Sequence, residues 1–329
     1  METFKSFKSN LYNVNADSFA DIALAVFRYQ AVQNAPYHAF LQHLGVNVTD
    51  VRKIDDIPFM PISFFKSQTM MSGKWEPEVT FTSSGTTGAQ TSRHPVRDLQ
   101  FYLRHSKRCF EYFFGALTNY NFLALLPSYL ERSGSSLIAM MDYFIQESRS
   151  PFSGFYLYDV DRLLRDIEAT KTDARKTVVW GVSFALTDLV EQFSPDLSHC
   201  LIFETGGMKG RRKEMTRYEL HEKLTRAFGV QQIYSEYGMT ELLSQAYLLT
   251  NEGFQLPPWM SVTIRDLTDP FAKGLQSQTG GINVIDLANW NTISFIETED
   301  LGRLHPNGSF EVLGRMDNSD VRGCNLLVG

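Results

Sequence analysis

The chain has 329 residues, of which 43% are hydrophobic and 21% are charged, a balance typical of globular proteins built around a large core. Its formal net charge of −6 excludes a protein dominated by a basic, nucleic-acid-binding surface. We therefore expect no nucleic-acid partner.

Cysteine and histidine usage indicates neither a disulfide framework nor a zinc site. The three cysteines, Cys109, Cys200 and Cys324, are an odd and sparse set, typical of thiols in a reducing compartment. The histidines lack the spacings of zinc ligands. The first twenty residues do not resemble a signal peptide, and no apolar run reaches membrane-spanning length. These features predict a cytoplasmic protein without a membrane span.

The N-terminal quarter predicts helices followed by an extended segment. Between residues 16 and 44, apolar residues recur at helical spacing, which predicts two helices. In the segment 55–66, Pro58 and Pro61 disfavour a helix and predict an extended path. We expect this path to enter the sheet that bears the next motif.

Residues 81–94, FTSSGTTGAQTSRH, form the motif around which the sequence is organised. The β-favouring run 79–81 precedes a turn dense in hydroxyl groups and glycine, whose backbone N–H groups can surround phosphate oxygens. No Lys-Ser or Lys-Thr pair follows the second glycine, so the loop is not a Walker motif. The sequence predicts a phosphate-binding loop, with a plain linker as the alternative.

The next segments alternate between helices and strands. A helix is predicted over 96–114, with Asp98 capping its start, and residues 122–126 read as a buried strand that Pro127 ends. Residues 133–136 then open another helix. Its apolar side chains belong either to the core or to an acyl pocket, for which the candidates are Met140, Met141, Phe144 and Phe184.

Three segments repeat a pattern of strand, small-residue turn and helix, namely 177–184, 200–209 and 233–241. Repeated units of this kind predict a mostly parallel α/β sheet with one composite site along the strand ends. Ser183 is not expected to be a hydrolase nucleophile, because the second glycine of the nucleophile elbow is missing.

The last eighty residues change character. Short strands separated by polar turns predict a small antiparallel sheet or barrel. We therefore divide the chain into α/β lobes over residues 1–255 and a β-rich lobe over residues 256–329.

Four motifs, in this order, resemble those of the adenylate-forming superfamily of acyl-CoA synthetases, luciferases and peptide-synthetase adenylation domains. They are the loop 83–93, Gly206-Gly207, the run 237–241 (YGMTE), and Asp300 with the run 314–317 (GRMD). Within the superfamily, residues 57–66 and the terminal Arg322-Gly323-Cys324 resemble the long-chain fatty acid–protein ligases, or acyl-protein synthetases, of bacterial luminescence.

The resemblance implies a role for each motif in binding ATP and Mg²⁺. Gly206 and Gly207 would line the adenine site, Tyr237 would stack on the base, and Gly238 would also belong to the nucleotide-binding residues. Thr240 would contact the α-phosphate or the acyl carboxylate, and Glu241 would bind magnesium. Asp300 would hold the ribose hydroxyls, with Arg315 near ribose and phosphate. The phosphates of ATP would lie on Ser83, Ser84, Gly85, Thr86, Thr87 and Gly88.

Two departures from the superfamily shape the functional prediction. By this resemblance we expect the chain to lack the mobile C-terminal domain whose lysine assists adenylation in relatives, and Arg93 stands where relatives place the cation of the loop. In acyl-protein synthetases a cysteine near the C-terminus accepts the acyl group, and Cys324 matches it by position and context. Arg322 would favour the thiolate of such a nucleophile.

The sequence thus predicts an ATP-dependent ligase that activates a carboxylic acid, expected to be a fatty acid, as acyl-adenylate. Cys324 would take the acyl group as a thioester and pass it to a partner reductase or transferase. One alternative is an acyl- or aryl-CoA ligase that uses a separate lysine-bearing domain. A second alternative is a non-catalytic module that binds nucleotide or acyl groups.

Overall fold

The structure, a computed structural model, describes residues 4–83, 91–127, 134–206, 215–250, 252–267 and 279–316. The helices of these residues are α1 Phe4–Asn10, α2 Ala16–Gln33, α3 Ala35–His43, α4 Phe64–Ser67, α5 Leu99–Phe114, α6 Ser136–Ser148, α7 Val160–Thr170, α8 Ser183–Phe193 and α9 Arg217–Phe228. Their strands are β1 Met60–Pro61, β2 Val79–Thr82, β3 Arg93–Val96, β4 Tyr120–Leu125, β5 Gly154–Phe155, β6 Lys176–Val182, β7 Cys200–Thr205, β8 Ile233–Tyr237, β9 Ala246–Leu248, β10 Phe254–Gln255, β11 Met260–Arg265, β12 Thr279–Asp286, β13 Phe295–Leu304 and β14 Phe310–Arg315.

One half of the large sheet is parallel, in the order β8-β7-β6-β4-β5. Its strands are apolar and almost wholly buried, as expected where helices cover both faces. Helices α8 and α9 cover one face, while α5 and α6 cover the other. Carboxyl ends of parallel strands meet at one edge, where open α/β sheets bind ligands.

The other half is antiparallel and continues the same hydrogen-bonded sheet through β9 and β10 to β14, β13, β12 and β11. Burial in β11 alternates between buried and half-buried residues, which fits a strand with one face in the core. The continuous sheet brings the C-terminal strands beside the carboxyl end of β8. The division of the chain at residue 255 remains a prediction.

Aromatic side chains fill the space between α5 and the parallel strands. Phe110 of α5 contacts the rings of Phe122, Trp180 and Phe203, on three neighbouring strands. Trp180 and Phe203 stack with ring centroids 4.6 Å apart. Such ring contacts add to the stabilisation from apolar burial, so this face is a packed core rather than an open chamber.

The N-terminal helices are fixed to the antiparallel half by a buried glutamine. Gln30 of α2 donates from Nε2 to the carbonyl oxygens of Asn289 and Trp290, and its Oε1 accepts from the backbone N–H of Ser294. Because all these groups are buried, removing the glutamine would leave backbone groups unpaired. The two helices predicted over 16–44 are confirmed as α2 and α3.

The predicted α/β class is confirmed, with three local corrections. First, α5 begins at Leu99 rather than at the predicted Val96, which is the last residue of β3, although Asp98 caps α5 as predicted by accepting from the N–H of Phe101 at 2.7 Å. Second, β1 pairs with β13 in the large sheet, whereas the phosphate loop belongs to the separate β2–β3 pair. Third, β8 is followed by a turn and the antiparallel β9, so 233–241 is not a third strand–turn–helix unit.

None of the helices in the described ranges combines the length and apolar character needed to cross a bilayer.

Candidate active site

The predicted phosphate loop is the tip of the β2–β3 hairpin. Thr82 pairs with Arg93, and the hairpin is extended by hydrogen bonds from the N–H of Ser83 to the carbonyl of Ser92 and from the N–H of Ser92 to Ser83 Oγ, at 3.1 and 3.0 Å. Arg93 is exposed. The tip itself, which includes the predicted phosphate-binding residues Ser84, Gly85, Thr86, Thr87 and Gly88, lies outside the described residues.

A buried histidine joins this hairpin to the turn that follows β8. His94 Nδ1 lies 2.7 Å from the carbonyl oxygen of Thr240, and its Nε2 lies 3.0 Å from Thr292 Oγ1. Burial lowers the pKa of His94 to about 4, against a weaker opposing effect of the Thr240 carbonyl. The ring is therefore neutral near pH 7, so Nδ1–H donates to the carbonyl and Nε2 accepts from the threonine hydroxyl.

Glu241 lies in the same turn and is only 6% exposed. Burial raises the pKa of its carboxyl group, while a hydrogen bond with the Ser92 side chain and the charges of Arg315 and Lys66 oppose the shift. Within the described ranges, no three His, Cys, Asp or Glu side chains are grouped as metal ligands. A single carboxylate nevertheless suits Mg²⁺, which commonly takes one or two carboxylates and completes its shell with water and substrate phosphates.

Tyr237, Asp300 and Arg315 meet beside that turn. Tyr237 Oη donates to Asp300 Oδ2 at 2.9 Å, and Asp300 Oδ1 lies 3.5 Å from Arg315 Nε. Asp300 and Arg315 are direct partners in the β13–β14 pair, so the sheet register fixes their proximity. Burial, and then the charge of Asp300, raise the pKa of Tyr237 well above its usual value, so its hydroxyl stays a donor.

Arg217, at the start of α9, adds a cation that the sequence did not reveal. Its guanidinium lies 4.7 Å from the ring centroid of Phe254 and donates to the carbonyl of Val312 at 3.0 Å. Burial lowers its pKa, and the charges of Glu204 and Asp300 act against that change. Arg217 thus links α9 to the strands that hold the Asp300 side of the site.

Two carboxyl groups lie at the ends of β7 and β8. Glu204 accepts from Ser183 and Ser235 at 2.5 and 3.0 Å and lies 3.7 Å from His221 Nε2. Burial would raise its pKa, but hydrogen bonds and nearby cations lower it overall. Glu236 points to the opposite face of the sheet. Burial raises the pKa of its carboxyl group to about 7; a hydrogen bond from Thr205 opposes the rise, and the charge of Glu204 adds to it.

Gly206 and Gly238 each occupy a position that favours glycine. Gly206 has a φ of +70°, which favours glycine, and its carbonyl accepts from the Ser183 hydroxyl at 2.7 Å. A Cβ atom at Gly238 would overlap Oε1 of Glu236. Gly207 lies outside the described residues.

The structure describes two of the three cysteines and all four residues of the candidate acyl pocket. Cys109 and Cys200 are buried, and burial raises the pKa of each to about 12, so neither is suited to be a nucleophile. Cys324 falls outside the part of the chain that the structure describes. The apolar candidates pack in the core, and only the last of them is half-buried: Met140, Met141, Phe144 and Phe184.

The sequence analysis missed three groups at this site, His94, Arg217 and Glu236. For His94 a signal existed, since a histidine among apolar strand residues directly after the loop is well placed to contact other site residues. Arg217 and Glu236 carried no local signal, because their neighbours come from distant strands.

Comparisons with known proteins give one curated sequence relative and several solved structures of similar fold. No family model matches the chain. The chain is 22% identical over 323 residues to the long-chain-fatty-acid–luciferin-component ligase of Vibrio harveyi, covering 91% of this chain and 84% of that protein. The structure of 2-hydroxyisobutyryl-CoA ligase in complex with 2-HIB-AMP and CoA matches 97% of this chain and 73% of its own length, with a TM-score of 0.68 and 13% identity.

The chain has the fold of adenylate-forming enzymes. The Vibrio harveyi match also supports the acyl-protein ligase family that the motifs resemble. Among adenylate-forming enzymes, the ATP-bound RpMatB-BxBclM chimera has a TM-score of 0.53 and 18% identity, and the match covers 72% of this chain. The chain spans about half the length of that structure, 47%. The roles of the individual site residues remain predictions.

Proposed function

We propose that the protein activates a carboxylic acid with MgATP to give acyl-adenylate and pyrophosphate, and that Cys324 then takes the acyl group as a thioester. A fatty acid is the substrate class favoured by the Vibrio harveyi relative, whose name states a long-chain fatty acid. Each step balances: the acid carboxylate displaces pyrophosphate from the α-phosphorus, and the thiolate displaces AMP from the acyl carbon.

The observation that carries the proposal is the junction between the hairpin and the turn after β8. His94 contacts Thr240, and Ser92 contacts Glu241, so the predicted phosphate loop and the predicted α-phosphate and magnesium residues adjoin. The Tyr237, Asp300 and Arg315 group lies on the flanking strands of the same sheet. This arrangement is what a nucleotide needs, with phosphates at one end and ribose at the other.

The charges of these groups fit attack by one anion on another. A carboxylate approaches a triphosphate only if the negative charges of both are offset, which requires cations and oriented donors rather than a protein base. Lys66 and Arg315 both act electrostatically on Glu241, and Arg93 is exposed at the end of β3 nearest the loop. Bound Mg²⁺ would add charge neutralisation at the phosphates, held by Glu241.

The thioester step is proposed for Cys324 because its position and context resemble those of the acyl-accepting cysteine of acyl-protein synthetases, and the other two thiols do not compete for the role. Cys109 and Cys200 are buried and have raised pKa values. A reductase or transferase that accepts the acyl group is the expected partner, and a cytoplasmic location is expected from the sequence.

Acid-dependent exchange of labelled pyrophosphate into ATP tests the activation step. Exchange with fatty acids, lost in Glu241→Ala, is the expected result. If ATP binds but none of the acids supports exchange, the non-catalytic binding module remains as the explanation. Consumption of the adenylate only when CoA is added would favour the CoA ligase alternative.

A further inference from the structure

Three polar side chains stand side by side at the strand ends, on the face covered by α5. Thr205 pairs with Glu236 across β7 and β8, and Glu236 pairs with Tyr247 across β8 and β9. Because direct cross-strand partners share a face of the sheet, the three side chains are neighbours. We call Thr205, Glu236 and Tyr247 the polar row. Thr205 directly precedes Gly206 in the chain, and Glu236 directly precedes Tyr237, both of the predicted adenine site.

The row is short of hydrogen-bond partners. Thr205 donates to Oε2 of Glu236, but none of the described residues donates to Oε1. Within the described residues, the hydroxyl of the fully buried Tyr247 has no partner, and neither does Oε1 of Gln245, whose residue is 3% exposed. Buried polar atoms without partners are rare in native proteins, so these two atoms beside Glu236 call for an explanation.

Gln245 faces the same point as Glu236. A Cβ atom at Gly238 would overlap Glu236 Oε1 and would lie 3.4 Å from Cγ of Gln245. The side chains of Glu236 and Gln245 therefore flank Gly238 together. Because Nε2 of Gln245 donates to the carbonyl of Leu243 at 3.1 Å, the amide is oriented with its Oε1 as the unpaired acceptor.

The surroundings place this row beside the predicted phosphate loop. The charge of Glu236 acts on Tyr102 of α5, whose ring contacts Phe81 of β2 with centroids 4.9 Å apart. The hydroxyl of Tyr102 is already used, since it donates to the carbonyl of Ser136 at 2.9 Å. Further along the same face lie the stacked aromatic side chains of Trp180 and Phe203. A plain hydrocarbon chain bound here would leave the two carbonyl-type oxygens without donors.

We propose that Glu236, Gln245 and Tyr247 bind a hydrogen-bond donor on the acid, so that the substrate is a hydroxylated or aminated acid rather than a plain fatty acid. This inference rests on the proposed function, because it assumes that an acid enters this site for activation. Glu236 Oε1 and Gln245 Oε1 accept from the hydroxyl or ammonium group, and the Tyr247 hydroxyl completes the contact.

The test compares matched acids in pyrophosphate exchange with the whole protein. Each pair has the same chain length, and one member carries a hydroxyl or an amino group at the second, third or terminal carbon. We expect kcat/KM for one substituted acid to exceed that of its unsubstituted partner by about tenfold or more. Equal kcat/KM within every pair would overturn this inference while leaving the proposed function intact. If none of the acids supports exchange, both this inference and the proposed function are overturned.

Variants separate the two kinds of donor. Glu236→Gln removes the charge that favours an ammonium group but keeps a hydrogen-bond acceptor. A kcat/KM preference for the amino-substituted acid is therefore lost, whereas a preference for the hydroxy-substituted acid persists in part. Tyr247→Phe reduces either preference. Glu222→Gln, the same change at an exposed residue of α9 whose side chain pairs with Arg226, is the matched control and keeps the preference. Thermal unfolding of each variant verifies folding, and a preference unchanged in folded Glu236→Gln and Tyr247→Phe would contradict the assignment.

Discussion

Replacing His94 by leucine tests whether the hairpin and the turn after β8 act as one unit. The imidazole is 1% exposed and makes two hydrogen bonds, to the carbonyl of Thr240 at 2.7 Å and with Thr292 Oγ1 at 3.0 Å. Leucine fills the space but removes both hydrogen bonds, so the Thr240 carbonyl loses this donor and Thr292 Oγ1 keeps its 3.4 Å bond to the carbonyl of Asn289. Each lost partner costs about 1–3 kcal/mol where the group stays buried.

The same residue makes a definite contribution to the pH dependence of stability. Burial lowers its pKa from 6.5 to about 4, so between these values the unfolded chain binds more protons than the folded one. The free energy of unfolding therefore rises with pH across this window and falls on acidification. From about pH 7 to about pH 4.5 the contribution of His94 amounts to a loss of about 2 kcal/mol, which the leucine variant lacks.

His105 provides a matched control. It is also buried, it hydrogen-bonds to Ser244 Oγ at 2.8 Å and Tyr12 Oη at 3.1 Å, and burial lowers its pKa to about 3. Denaturant unfolding at the two pH values should show a reduced pH dependence in both His94→Leu and His105→Leu. Only His94→Leu should raise the KM for ATP in pyrophosphate exchange, by about tenfold. An unchanged pH dependence in His94→Leu, or an equal KM change in both variants, would refute the reasoning.

Three further predictions concern single side chains of the site. Gly238→Ala should destabilise the protein by about 1–3 kcal/mol in denaturant unfolding, because the added Cβ would overlap Glu236 Oε1. The control Gly314→Ala places its Cβ in open space and should leave stability unchanged, so equal stabilities of the two variants would contradict this prediction. Tyr237→Phe removes the donor to Asp300 Oδ2 and should raise the KM for ATP by about fivefold with little change in KM for the acid; an effect on the acid alone would argue against a ribose role for Asp300. Glu241→Gln should raise the Mg²⁺ concentration for half-maximal exchange by about tenfold or more, and an unchanged magnesium titration would exclude Glu241 as the ligand.

The elements with strong local signals were predictable. The apolar strand over 120–125, the Asp98 cap of α5 and the helical spacing of α2 each depend on neighbouring residues alone. The proximity of Tyr237 to Asp300 was implied only by the resemblance to a family. Nothing in the local sequence joins residues sixty-three positions apart.

The sequence-based errors have the same cause. After β8, a turn rich in small and polar residues looked like those before α8 and α9, yet here the chain reverses into β9 and pairs with β8. The hydrogen bonds of Asp286 to the backbone N–H groups of Leu243 and Ser244, both 2.9 Å, hold that turn from a distant strand. Likewise, β1 was too short for its partner to be predicted, and it lies beside β13 because of a pairing across the whole chain.

The central claim is that the protein forms an acyl-thioester on Cys324 at the cost of ATP. Intact mass should be measured after incubation with MgATP and a mixed set of fatty, substituted and aromatic acids, for the unmodified protein, Cys324→Ala and Cys200→Ala. We expect an acyl adduct that hydroxylamine removes, that persists in Cys200→Ala and that is absent in Cys324→Ala. An adduct that persists in Cys324→Ala, or no adduct where acid-dependent pyrophosphate exchange is present, would contradict it.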